Sequence, residues 1–254
     1  MTGSLADRLQ LGDRELISVV GAGGKTTTVK TLGHELATRG ARVVVTTTTK
    51  MGRDQVGSDA ICSSDPAEVA LAVESRSPLF VACSLTDAKV TGPSPEQVDA
   101  LFGHPGIDHV IVEADGARKM LIKAPAEHEP QIPSLTTTVL VVASANAIGR
   151  PISDVAHRPA RAAHLAGSSP DDLLTEEHIS RILCSKEGGL RGIPAGARKI
   201  ALLTGATSGS DTLAAVVKET GVFDDVVTLA PDEQETPAAP SDPVSLLRRP
   251  LKGE

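Results

Sequence analysis

The stretch from Leu16 to Thr28, Leu-Ile-Ser-Val-Val-Gly-Ala-Gly-Gly-Lys-Thr-Thr-Thr, narrows the possible folds more than any other part of the chain. An apolar run reads as a buried strand, glycines follow it at once, and a lysine with hydroxyl neighbours then opens an amphipathic segment. Glycine tolerates positive φ and lets the backbone come close to a ligand, while the first N–H groups of a helix have no intrahelical acceptor. Strand, glycine loop and helix start in this order form an anion cradle. The spacing is not the common G-x-x-x-x-G-K-[ST], because Val19 stands where the first glycine belongs; the loop is the shorter G-x-x-G-K-T-T. We expect Gly21, Ala22, Gly23, Gly24, Lys25, Thr26 and Thr27 to hold nucleotide phosphates, against the plainer alternative of a strand-to-helix turn with a surface lysine.

After the loop, Val29, Leu32 and Leu36 recur at helical spacing up to a stop at Gly40. Arg42 to Val45 reads as a second buried strand that runs into Thr46-Thr47-Thr48-Thr49-Lys50. Threonine suits strands, so the run is either a strand extension or a ligand-facing loop at the carboxyl end of a strand, where open α/β sheets bind ligands. Thr48, Thr49 and Lys50 are therefore substrate or anion candidates. Asp108 to Gly116 is an apolar strand ending in Glu113, Asp115 and a glycine. Magnesium takes oxygen ligands, so Glu113 or Asp115 together with the Thr26 hydroxyl could hold it beside bound phosphates. If the strand continues that far, alternation puts both carboxylates on one side. A proline-broken segment then carries Lys119, Lys123, His128 and Glu129, and His157-Arg158-Pro159 starts a helix.

A leading helix around Leu5, Leu9 and Leu11 is expected before the loop. Strands at 79–83, 138–143, 198–204 and 226–229 alternate with helices from Asp65, Pro93, Thr175 and Asp211. That alternation predicts an α/β fold, a mostly parallel sheet with helices on both faces, P-loop NTPase-like. Residues 1–230 are expected to form a single domain with room for a small helical insertion at about 157–190, and the proline-rich residues 231–254 a flexible tail.

Composition excludes several partners. The formal charge of −7 argues against binding a phosphate backbone, and three Phe with no Trp or Tyr leave no stacking platform for single-stranded nucleic acid. Three scattered cysteines indicate neither a disulfide framework nor a zinc site, and no apolar run is long enough to span a bilayer. A cytoplasmic protein that binds neither nucleic acid nor membrane is the expectation.

Taken together, Val20 to Thr27, Val45 to Lys50, Val112 to Ala117, Lys123-Ala124-Pro125, His128-Glu129-Pro130 with Ile132-Pro133, and His157-Arg158-Pro159 resemble the motifs of the YqeC family between about Ile17 and Thr204. The resemblance implies a P-loop accessory protein for maturation of selenium-dependent molybdenum hydroxylases, with a hydroxylase or its cofactor-insertion machinery as partner. Related sequences tend toward an N-K-x-D-like element after the late strand, whereas Thr204-Gly205-Ala206 stands here, which makes ATP the expected nucleotide and GTP the less favoured one. Lys25, Glu113 and Asp115 are the catalytic candidates; Thr26, Glu113 and Asp115 the magnesium candidates. Lys50, Lys123, His128, Glu129, His157 and Arg158 are candidates for an acceptor or a transition-state anion. Three outputs fit: ATP hydrolysis or phosphoryl transfer, nucleotide-gated binding or metallochaperone action without small-molecule transfer, and a ligase like the Mur enzymes, in which the shorter glycine loop also occurs.

Overall fold

A computed structural model describes residues 3–56, 60–86, 88–205 and 209–229. The expected tail at 231–254 and Ala206 lie outside the described residues. Eight strands form one sheet: β1 (Glu15–Gly21), β2 (Val43–Thr47), β3 (Ile61–Cys62), β4 (Leu79–Ala82), β5 (His109–Glu113), β6 (Thr138–Ser144), β7 (Arg198–Thr204) and β8 (Asp225–Leu229). Their order is β8-β7-β6-β1-β5-β2-β4-β3, and every neighbouring pair is parallel. The glycine loop thus leaves a central strand, flanked by β6 and β5.

Both faces of this sheet are covered, which is why its strands are mostly aliphatic and why even the polar Ser18, Thr46 and Thr47 within them are buried. Ile17, Val19, Val43, Val45, Ile111, Leu140 and Val142 pack under two helices, α1 (Leu5–Arg8) and α2 (Lys25–Thr38), through Leu5, Leu9, Val29, Leu32 and Leu36. Leu16, Val20, Val110, Val112, Val139, Val141 and Leu203 face the opposite way. They meet α3 (Pro66–Ser75), α4 (Pro95–Gly103), α5 (Ile152–Val155), α6 (Pro159–Ala166), α7 (Glu176–Cys184) and α8 (Ser210–Glu219). This is the expected α/β fold, P-loop NTPase-like in the loop that joins its central strand to a helix. The helices between 157 and 190 share their core with the sheet through Ala162, Ala163, Ala166, Ile179 and Ile182.

Helix starts follow their local chemistry. Asp65 caps α3 by accepting from the Ala67 and Glu68 N–H groups, Ser94 and Gln97 close a reciprocal capping box on α4, and Thr175 caps α7 as expected. One expectation is corrected and two that the sequence left open are decided. The leading helix is a single turn, and β1 already begins at Glu15. The threonine run divides, with Thr46 and Thr47 in β2, Thr48 and Thr49 in a bend, and Lys50 opening a short strand. Finally, β5 stops at Glu113, so Asp115 reaches the site from the following loop, not by strand alternation.

A small antiparallel flap, Lys50–Gly52 with Ser84–Leu85 and Lys89–Thr91, stands off the β2 and β4 ends. Its Val90 is buried against Val56 and Ala82, with Met51 and Leu85 packed beside them. Among the described residues no helix is long and apolar enough to cross a membrane.

Candidate functional site

The loop's conformation comes from its glycines. Gly21 has φ 95°, and a Cβ there would lie 2.2 Å from the Val142 carbonyl oxygen, so β6 crowds the loop too closely for any side chain. Gly23 has φ 80° and similarly abuts Ser144 and the Leu121 carbonyl. The Ala22 N–H donates to Val142 O at 3.0 Å, and the Thr204 hydroxyl donates to Gly23 O. Anchored to β6 and β7 in this way, the loop delivers Gly24 as the N-cap of α2, which has no side-chain cap. The first N–H groups of α2 therefore need an acceptor from outside the helix, at its positive end.

Glu113, at the end of β5, and Asp115, in the loop after it, meet the glycine loop. Thr26 Oγ1 donates to Glu113 Oε2 at 2.9 Å, and the Gly21 N–H donates to Asp115 Oδ2 at 3.1 Å. Lys25 is 4% exposed; its Nζ donates to Gly21 O at 2.8 Å, 3.0 Å from Asp115 Oδ1 and 3.7 Å from Glu113 Oε1. Asp115 Oδ1 has no aligned hydrogen bond, and its partner is the Lys25 ammonium 3.0 Å away, held as an ion pair. The ion pairs continue inward. Lys123 Nζ lies 2.9 Å from Asp115 Oδ2 and 3.0 Å from Glu129 Oε2, donates to Gly116 O at 2.6 Å, and has a side chain 0% exposed. Glu129 Oε2 in turn is 2.8 Å from Arg158 Nη1.

Burial pulls the Glu129 carboxyl upward, but hydrogen bonds from Lys123 and Arg158 outweigh it and bring the group to about 2. His157 is held below its ordinary value by burial first and then by the charges of Arg158 and Lys123, which keeps its ring neutral at neutral pH.

Above this network opens a cleft of about 820 Å³. Gly23, Gly24, Lys25, Thr26, Thr27, Thr49, Lys50, Glu113, Glu129, His157 and Arg158 all line it, so residues spread over the sequence converge on one site. Other candidates sit elsewhere. Gly21 and Ala22 are in the loop's anchored part, Asp115 and Lys123 are buried behind the wall, Thr48 Oγ1 donates to Gln131 O at 2.7 Å, and the His128 side chain is exposed outside the lining.

The cleft also gathers residues not singled out from sequence: Arg118 on the wall, Lys89 on the flap, and Ser144, Asn146 and Thr204 at the β6 and β7 ends. One signal was available for Arg118, which directly follows the Glu113-Ala-Asp115-Gly116-Ala segment. Arg118 (φ 50°), Lys119 (φ 62°) and Arg158 (φ 66°) all adopt left-handed backbone without being glycine, at a cost of about 1–3 kcal/mol each. Such strain concentrates where a side chain must be aimed.

The donor set suits magnesium only together with phosphate. Among the described residues no group of three His, Cys, Asp or Glu could hold a metal ion, but one hydroxyl and one carboxylate, Thr26 and Glu113, are paired at the start of α2. Magnesium commonly binds through one or two protein oxygens, with substrate phosphates and water supplying the rest.

Compared with known protein families, residues 17–160 match the family described as YqeC protein. The chain is also 35% identical over 189 residues to the protein named Uncharacterized protein YqeC of Escherichia coli (strain K12), an alignment covering 73% of this chain and 73% of that one.

Proposed function

The chain belongs to the YqeC family, and from that premise we propose that it is a cytoplasmic ATP-binding P-loop protein that hydrolyses ATP or transfers its terminal phosphoryl group. Its role is that of an accessory factor in maturing selenium-dependent molybdenum hydroxylases, acting on a hydroxylase or its cofactor-insertion machinery. The observation that carries the nucleotide reading is the uncapped start of α2, where Lys25 and Thr26 meet Glu113 and Asp115 under a loop shaped by three positive-φ glycines.

In this reading the N–H groups at Gly23 to Thr27 receive the phosphates. Lys25 leaves the Gly21 carbonyl and contacts the β and γ oxygens, remaining within reach of Asp115. Thr26 and Glu113 would hold magnesium, which would offset the charge of the phosphate oxygens. Asp115, fixed by the Gly21 N–H and Lys123, keeps the loop registered against β5. ATP is preferred to GTP because Thr204-Gly205-Ala206-Thr207-Ser208 carries no carboxylate to accept from guanine.

The binding test is calorimetry of ATP with magnesium against wild type and Lys25→Ala. Loss of most affinity in a folded variant supports the reading; unchanged affinity would remove it. Phosphate release by the protein alone, with small acceptors, and with a hydroxylase then separates turnover from gating.

A further inference from the structure

Charge is distributed unevenly around the cleft. The buried network cancels within itself, since Lys25, Lys123 and Arg158 face Glu113, Asp115 and Glu129. Lys119 lies 3.9 Å from Asp54, which also lines the cleft. Lys50, Lys89 and Arg118 remain: all three line the cleft, all are exposed, and among the described residues none has a carboxylate partner. A chain with 32 acidic and 25 basic residues could have supplied one.

The flap's register explains how two of them come together. Lys50 pairs with Thr91, Met51 with Val90 and Gly52 with Lys89. Directly paired residues of an antiparallel ribbon share a face and alternate residues lie on the same side, so Lys50 and Lys89 project from one face, while Val90 on the other is sealed in the small apolar cluster. Like charges brought together on one ribbon face repel, and a structural role alone gives no reason to keep them there. Arg118, in its left-handed backbone conformation, lines the same cleft beside Lys119, whose ammonium lies 3.9 Å from Asp54 just past the first flap strand.

Position separates this cluster from the nucleotide. The Thr26–Glu113 pair lies on the β5 side of the loop, so on the nucleotide reading the terminal phosphate would point toward β5 and β2 and the nucleoside toward Ser144, Asn146 and Thr204 at the β6 and β7 ends. The flap, which follows β2 and β4 in the chain, belongs to that same β2 side of the sheet.

We propose that Lys50, Lys89 and Arg118 form a second anion subsite that binds the acceptor, and that the acceptor is a small molecule carrying its own phosphate group. A phosphate matches a cluster of two compact ammonium charges and one guanidinium fork. The inference rests on the nucleotide reading of the loop, because that reading orients the cleft.

The test saturates the full chain with a non-hydrolysable ATP analogue and magnesium, then titrates inorganic pyrophosphate by calorimetry. A second binding event is expected, weakened about ten-fold or more in Lys50→Met/Lys89→Met while analogue affinity changes less than about two-fold. Absence of pyrophosphate binding to the loaded wild type, or equal loss of both affinities in the double variant, overturns the proposal. Citrate binding as tightly as pyrophosphate overturns the phosphate assignment. Lys25→Ala, titrated without nucleotide, keeps the two readings apart. Pyrophosphate binding that persists there, and vanishes when Lys50→Met and Lys89→Met are added, supports the subsite even if the loop takes no ATP. No binding to Lys25→Ala assigns all anion affinity to the loop and sinks the subsite. Unchanged circular dichroism and melting confirm that each variant is folded.

Discussion

Lys123 is the residue with most at stake, because its ammonium is fully buried between two carboxylates and a carbonyl. Replacing it with Met leaves Asp115 and Glu129 facing each other without their shared cation. Removing one partner of a buried ion pair costs about 3–5 kcal/mol, and we predict a loss of that size for Lys123→Met by urea denaturation. Glu129 sets a pH dependence. Its folded-state value of about 2 lies below the ordinary 4.5, so its contribution is complete above about 4.5 and is lost as pH falls toward about 2. Asp108, lowered to about 2 chiefly by its hydrogen bond from Arg42, acts over a similar acid window. Glu129→Gln is therefore expected to flatten, but not abolish, the acid fall in stability measured by denaturation at stepped pH. From sequence Lys123 and Glu129 could be nominated as site residues, yet nothing in their spacing told which would be buried. That depended on Arg158, distant in the chain, arriving to close the ion chain.

At the scale of elements, the loop and α2 act as one unit whose shape depends on Gly21. Gly21→Ala adds a Cβ at φ 95° and 2.2 Å from Val142 O, so either the loop or β6 must shift. We predict a destabilisation of about 2–3 kcal/mol, together with loss of ATP affinity in calorimetry; a variant of wild-type stability and affinity would contradict this account of the loop. The long strands were legible because β6 and β7 carry the continuous aliphatic stretches Val139 to Ala143 and Ile200 to Leu203, and α7 because Thr175 caps it. Short pairings were not. Ile122–Lys123 pairs with Ala156–His157 over two residues, and the flap strands are two or three residues long. Such segments have too few residues for a period and exist only because a partner strand meets them.

For the molecule as a whole, stability and binding are separable. Leu140 is fully buried in β6 beneath the α1 and α2 face, so Leu140→Ala should cost about 2–5 kcal/mol. ATP with magnesium at a hundred-fold excess over its Kd should add about 2.7 kcal/mol to unfolding in wild type and in Leu140→Ala alike. Lys25→Ala should lose that increment. Thermal denaturation with and without nucleotide reads both, and an increment that survives in Lys25→Ala would contradict the loop's role.

Sequence alone determined the strand and helix alternation, the glycine loop and its lysine, and the acidic end of β5, because each is local: a run of aliphatics, an allowed φ, a cap. Tertiary structure alone decided that β5 and β6 flank β1, that Asp115 reaches Lys25 from a loop, and that the flap turns Lys50 and Lys89 toward the cleft. These depend on which strands become neighbours, a choice made by packing two covered sheet faces together and not by any short stretch of residues.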